Sequence, residues 1–484
     1  MQPCSIAFVL CFLFGCTNAA QPDSGLIAAD ANRPTKQAPK QDIVELEIMA
    51  DAKRATQDSD LAYNIVASLT SEVGPRIAGS SGDKQAVTWA KRTMTDMGFD
   101  KIYQQPVRVR NWERGFAQAQ VTSPESLPLV ITALGGSVAT PAQGLAAEVV
   151  RFASLDELRA ADPNHVTGKI VYLDTKMQRH KAGRFYGKVV PNRVRGAVEA
   201  AKQGALAVII RSVGTANSRF AHTGVMRYDD TVNKIPAGAI SNIDADALSA
   251  LMARSTEPVT LSLIMQAKET GWQTSYNVIG EITGSESPEE VVLISAHLDS
   301  WDLGTGALDD GAGVGIVMAA AKLLKDNLGQ PKRTIRVILY AAEEIGLLGG
   351  YEYARANEAE LSNIIVAAES DFGAGRIYRL DTRFAPDSLS RSRALFMALA
   401  QEDIPQGPND TRGGPDVSML PNYGVPVFSL KQDGTYYFDY HHTADDTLDK
   451  IDRDAIRQNQ MLWGMVTAFF AYGTYDPRPA PPYE

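Results

Sequence analysis

Cysteine is nearly missing from this 484-residue chain, and its placement says as much as its scarcity. Cys4, Cys11 and Cys16 are the only three, and all stand at the very start. The remainder therefore has no disulfide and no thiolate for metal binding or catalysis, so any metal site must use His, Asp and Glu. Histidine is scarce as well, at six residues. There is no basic stripe with interleaved aromatics and the net charge is −10, so nucleic-acid binding has no support. A long apolar span is also lacking. SIAFVLCFLF, residues 5–14, is too short to cross a bilayer as a helix, and no later segment is a transmembrane candidate.

That run, followed by the small residues Thr17, Ala19 and Ala20, reads as a signal peptide over 1–20 and predicts an exported protein: periplasmic, secreted or in the outer envelope. LFGC, ending at Cys16, resembles a bacterial lipoprotein box, with Phe14 bulkier than that motif usually takes. Cleavage before Cys16 with a lipid anchor, and cleavage after Ala19 or Ala20 without one, both stand open.

What the chain does contain is ordinary for a globular protein, at 44% apolar and 21% charged residues. Residues 21–42, rich in Ala, Pro, Gln, Asp and Lys, read as a tether. Apolar residues at helical spacing (Val87, Ala90, Met94, Met97) predict a helix that Gly98 stops, with a strand from Ile102 to Arg110. Over 135–268 the text turns to short β-rich runs separated by Gly and Pro, which predicts a separate module inserted between 43–134 and 269–475. From 273 on, strands (SYNVIGEIT, EVVLISAHLD, TIRVILYAA) alternate with helices (GVGIVMAAAKLLKDN, GLLGGYEYARA and one from Asp454 to Tyr472). Such alternation predicts an α/β domain, ending in an irregular tail at 476–484.

The chemistry is concentrated where apolar strands end. VVLISAHLD ends in His297, and a period of two puts Asp299 on the same face, where a carboxylate can hold the second ring N–H of an imidazole ligand. Asp309 and Asp310 precede a helix, so one of them also reads as its N-cap. RTIRVILYAA runs directly into Glu343 and Glu344, IIVAAESD into Glu369 and Asp371, and a Tyr-rich loop carries His441 and His442. Open α/β sheets gather their sites at carboxyl strand ends. Histidine and carboxylate alone suit a borderline-hard divalent ion such as Zn²⁺. The number of donors is enough for two ions sharing a bridging ligand. With Glu344 a ligand, Glu343 is left to take a proton from a metal-bound water whose pKa falls from 15.7 to about 7. Gly304 and Gly306 mimic a nucleotide-binding loop but lack its GxGxxG pattern.

HLDSWDLGTGALDDGAG, RTIRVILYAAEEIGLLGG, ESDFG, and GVPVFSL followed by HHTADDT resemble, in order, the blocks of the co-catalytic zinc exopeptidases, and within them the carboxypeptidase Q group. GPRIAGS, NWERG and HTGVMRYDDTVNKIPAGAI resemble it too, so the likeness covers nearly everything after residue 45. The resemblance implies a mixed central sheet flanked by helices, with a protease-associated domain as the insertion. It implies two zinc ions, one on His297 and Asp371 and one on Glu344 and His442, with Asp309 bridging and a cis bond to Asp310. His442 is preferred to His441 because it directly precedes Thr443. Glu343 would be general base and acid, and Asp299 would orient His297. The implied activity is hydrolysis of dipeptides or short peptides from a terminus, as a dipeptidase or carboxypeptidase or else an aminopeptidase, in a homodimer. Arg412 and Asp416 are candidates to hold the substrate's carboxylate or ammonium. A glutaminyl cyclase or a non-catalytic receptor-like scaffold are the remote alternatives.

Overall fold

The computed structural model describes residues 40–483, which lie in one compact unit. The expected signal peptide, Cys16 and most of the tether lie outside the described residues. Among the described residues no helix is long and apolar enough to cross a membrane.

Three helices (Lys40–Thr56, Leu61–Glu72 and Ser81–Asp96) lead to β1 (Lys101–Glu113). The third begins where the Ser80 hydroxyl accepts the Asp83 N–H and stops before Gly98, whose φ of 75° reverses the chain. The chain then builds a second sheet from β2 (Ala117–Ser123), β3 (Leu127–Leu129), β4 (Ile131–Ala133), β5 (Leu145–Phe152), β6 (Ile170–Leu173), β7 (Ala207–Arg211), β8 (Ala237–Ile240) and β9 (Thr260–Met265), in the order β3-β2-β9-β5-β6-β7-β8-β4. It returns with β10 (Lys268–Ile282), β11 (Ser287–His297), β12 (Arg333–Tyr340), β13 (Ile364–Glu369), β14 (Ile377–Arg383) and β15 (Val427–Gln432). These join β1 in a seven-stranded mixed sheet of order β1-β10-β12-β11-β13-β15-β14.

The second sheet therefore starts at Ala117, not at the expected 135. The reason is that β3 and β4 are three residues each, too short to show a period, while β2 (AQAQVTS) alternates small and polar residues. The far boundary, between β9 and β10, falls where the Gly- and Pro-punctuated text ends.

The centre of the seven-stranded sheet is parallel: β12, β11, β13 and β15 pair side by side in one direction. Their residues are buried on both faces, which is why they read as unbroken apolar runs. The helix Ala312–Leu328 covers one face, its first ten residues all buried. Parallel pairing has one decisive consequence. Tyr340, His297, Glu369 and Gln432 all finish at the same edge, so the segments that follow them converge.

Candidate metal centre

His297, the last residue of β11, is 1% exposed. Its Nδ1 lies 3.0 Å from the main-chain oxygen of Asp299, which places a ring proton on Nδ1 and turns Nε2 toward the acids. That Nε2 is 3.2 Å from Asp309 Oδ1 and 3.6 Å from Asp371 Oδ1. The other Asp309 oxygen, Oδ2, faces the opposite way, 3.2 Å from His442 Nε2. His442 Nε2 is also 2.9 Å from Glu344 Oε2. Two donor triads thus share one carboxylate, each triad taking one of its oxygens.

Local structure explains each position. Asp309 and Asp310 are joined by a cis peptide bond within the turn Ala307–Gly311. The main-chain N–H groups of Leu308 and Asp309 donate to Asp446 at 2.7 and 3.2 Å, which fixes the bridging residue from behind. The capping reading of the aspartate pair falls to Asp310. Asp310 accepts from Gly313 N at 3.1 Å, as a cap of the following helix, and from His297 N at 3.2 Å. Its two oxygens are occupied, whereas Asp309 Oδ2 has no hydrogen-bond donor. A Cβ on Gly313 would collide with Asp310 and the Ser370 carbonyl, so only glycine admits this cap.

Asp299 differs from expectation. Its carbonyl, not its carboxylate, meets His297 at hydrogen-bond distance; the carboxylate is 3.7 Å from Nδ1. The carboxylate instead accepts the main-chain N–H groups of Glu343 (3.1 Å) and Glu344 (3.4 Å), because the chain leaves the strand after His297 and strand alternation no longer applies. Asp299 therefore holds the turn that carries both glutamates. That turn is tight, with Ala342 and Leu347 at φ of 58° and 59°.

Glu344 Oε2 accepts from Trp301 Nε1 at 2.6 Å, while Oε1 is buried without a donor. His442, at φ 62°, has Nδ1 3.2 Å from the Thr223 carbonyl and 3.3 Å from Arg193 Nη1, and turns Nε2 toward the acids. His441 stacks on His442 with ring centres 3.6 Å apart, and its Nε2 is 3.5 Å from Asp309 Oδ2. The shorter distances and the Glu344 contact belong to His442.

Glu343 is half-buried on the wall of a cavity of about 340 Å³ that also bears Asp309, Glu344, Asp371, His441 and His442. Burial pushes its carboxyl well above the usual range, His297 opposing and Asp371 and Glu344 reinforcing the shift. Burial works against the charged form of His297, yet Asp299, Asp309 and Asp371 outweigh it and raise its pKa well above 6.5. For His442 the same competition, won by Glu344 and Asp309, raises the pKa to about 9. In metal-free protein, protons therefore play the part of cations among these acids. The donors fit borderline-hard divalent ions: imidazole nitrogen and carboxylate oxygen only, buried, with Asp309 Oδ2 and Glu344 Oε1 lacking any other partner.

The two substrate-binding candidates fare differently. Asp416 is fully buried, accepts from Gly350 N at 3.1 Å and donates its own N–H to Glu369 at 2.7 Å. It braces the first turn of the helix Leu348–Ala356 and cannot meet a substrate ammonium, because the loop at Gly413 and Gly414 folds over Glu369 and turns it inward. Arg412 is exposed, with its guanidinium 4.9 Å from the Tyr483 ring centre, and lines a neighbouring cavity that shares Asp371, Phe372 and Pro415 with the first. Sequence reasoning missed Trp301, Thr223 and Asp446. It also gave no role to Arg76, a fully buried guanidinium in GPRIAGS that donates to the carbonyls of Gly74, Leu298, Thr305 and Gly306.

Comparison with known proteins agrees with this geometry. Residues 277–467 match the model of peptidase family M28. Carboxypeptidase Q of Homo sapiens is 36% identical over 410 residues, 84% of each chain. A solved peptidase M28 precursor from Shewanella amazonensis SB2B is 51% identical, with a TM-score of 0.89 over 91% of this chain and all of that one. A zinc aminopeptidase from Bacillus subtilis shares the fold at 23% identity and a TM-score of 0.59, over 85% of this chain and 93% of that one. With its buried His and carboxylate triads at the carboxyl edge of the parallel strands, the chain belongs to peptidase family M28 and is a metallo-exopeptidase of the carboxypeptidase Q-like group.

Proposed function

We propose that this protein is an exported zinc peptidase that acts on dipeptides or short peptides from the carboxyl end, using two zinc ions per chain. The observation that carries this reading is the orientation of Asp309, whose two oxygens each face the Nε2 of a different histidine at 3.2 Å. His297, Asp371 and Asp309 would hold one ion, and Glu344, His442 and Asp309 the other. Bound zinc would polarise the scissile carbonyl and acidify a water, together worth several kcal/mol of barrier.

In this reading the chain's own residues do the rest. Glu343 takes a proton from the attacking water and returns it to the leaving amine, as its place on the cavity wall beside Glu344 and Asp371 allows. Asp299, through the main-chain amides of Glu343 and Glu344, keeps the base and the adjoining ligand in register. The Trp301 indole fixes one oxygen of Glu344. The second sheet would correspond to a protease-associated domain that helps close the site. Reciprocal bonds between Thr223 and His442 support that, at 2.9 Å to the His442 carbonyl and 3.2 Å to Nδ1.

The test is a panel of free, N-blocked and C-amidated dipeptides and tripeptides, assayed with zinc. Cleavage that survives N-blocking but not C-amidation is the expected carboxypeptidase pattern, and loss under either change defines a dipeptidase. Cleavage of C-amidated but not N-blocked peptides would make the enzyme an aminopeptidase. No cleavage of any member would overturn the reading.

A further inference from the structure

The cavity that holds Glu343 contains one residue whose presence the metal chemistry does not explain. Arg193, from the helix Tyr186–Lys202, is 5% exposed and is, among the described residues, the one Lys or Arg lining that cavity. A buried guanidinium normally faces a carboxylate. Among the described residues none lies within 4.0 Å of Arg193. Its contacts are a hydroxyl, a carbonyl and an imidazole: Nη2 donates to the Tyr186 hydroxyl at 2.8 Å, and Nη1 is 3.4 Å from the Thr223 carbonyl and 3.3 Å from His442 Nδ1. Nε is buried with no partner at all. The position is also built for. Gly224, at φ 133°, lies against the guanidinium, and a Cβ there would collide with Cζ and Nη1. Tyr186 and Arg193 are seven residues apart, two turns of one helix, so they present to the same side.

The acids in the same cavity point the same way. Asp309, Glu343, Glu344 and Asp371 line it, and each has a metal-binding or proton-transfer task, so none is left for a substrate ammonium. A cation and a phenol without an acidic partner remain, next to a metal ligand.

We propose that Arg193, helped by the Tyr186 hydroxyl, binds the free C-terminal carboxylate of the peptide and so makes the enzyme specific for that terminus. The proposal rests on the metallopeptidase reading above. The guanidinium supplies N–H donors to one carboxylate, and Tyr186, which accepts from Nη2, keeps its own proton to donate. In a dipeptide that carboxylate is separated from the scissile carbonyl only by the amide nitrogen and one Cα. Its receptor must therefore border the metal triads, as Arg193 does through His442.

The experiment compares N-acetyl-leucine with N-acetyl-leucinamide, neither of which has a free amine, by calorimetry on zinc-loaded protein. Charge-assisted hydrogen bonds predict that wild type binds the acid about 10–100-fold more tightly than the amide. Arg193→Met should remove that preference while leaving amide affinity and zinc content, measured by mass spectrometry, unchanged. Tyr186→Phe should lower it several-fold, and Arg193→Lys should restore part of what Arg193→Met loses. Equal binding of acid and amide by wild type would overturn the proposal whatever the variants do, as would an unchanged preference in Arg193→Met. Wild type that holds no zinc would instead strike at the metallopeptidase reading, so the two failures are distinguishable.

Discussion

Replacing Asp309 by alanine perturbs both donor triads at once, because it offers one oxygen to each. Its Oδ1 and Oδ2 stand 3.2 Å from His297 Nε2 and His442 Nε2. A ligand at a hundred times its Kd stabilises a folded protein by about 2.7 kcal/mol, so two zinc sites add about 5.4 kcal/mol. The structure describes roughly 440 residues, and at ~2.1 cal/mol/K per residue the unfolding entropy is ~0.9 kcal/mol/K. Zinc should therefore raise the Tm of metal-stripped wild type by about 6 °C. Loss of partners outside the ligand shell already costs 10–100-fold in affinity, and loss of a ligand costs at least as much. At the same zinc concentration a 10–100-fold loss leaves each site of Asp309→Ala adding about 0.4–1.4 kcal/mol. The variant's Tm should therefore rise by only about 1–3 °C, and by less if a site is lost outright. The assay is differential scanning calorimetry of stripped protein with and without zinc. An undiminished 6 °C rise in Asp309→Ala, with two zinc ions retained, would refute the bridge.

Other perturbations separate the remaining roles. Glu343→Gln should lower kcat by about 10²–10⁴ with zinc content unchanged; near-normal turnover would remove Glu343 as the base. Trp301→Phe deletes the N–H on Glu344 Oε2 but keeps an aromatic ring, so stepwise zinc titration should show one site weakened about 10–100-fold and the other intact. The pH dependence follows from His442, whose pKa rises from 6.5 to about 9 in metal-free protein. Its ion pairs stabilise that form fully below pH 6.5, and the contribution is lost as pH climbs through about 9. Zinc must displace this proton, so zinc affinity should increase about tenfold per pH unit for each proton released between pH 7 and pH 9. An affinity that is flat over that interval would contradict the protonated resting state.

Much of the fold could be read in the sequence because the central strands are buried on both faces and so appear as unbroken apolar text. Val291 to Ile294 and Val337 to Leu339 are examples. Each such run ends in His297, Glu343 with Glu344, or Glu369 with Asp371, and parallel pairing turns this repetition into proximity. What escaped was set by contacts distant in sequence. Arg193 stands in YGKVVPNRVRGAVEAAK, where an arginine reads as a solvated helix face, and the approach of Thr223, Gly224 and His442, distant in sequence, covers it. Asp416 looked available to substrate because its Gly-rich surroundings suggest an open loop, yet the two glycines let that loop close over Glu369. The start of the second sheet was hidden because β3 and β4 are too short to carry a pattern.

The central claim is that Asp309 joins two zinc ions at the carboxyl edge of the parallel strands. It is tested most directly by crystals of the zinc-loaded protein, with anomalous data collected on both sides of the zinc absorption edge. Two peaks about 3.5–4 Å apart, one beside His297 and Asp371 and one beside Glu344 and His442, with Asp309 between them, are the predicted result. A single peak, or peaks away from Asp309, would contradict it.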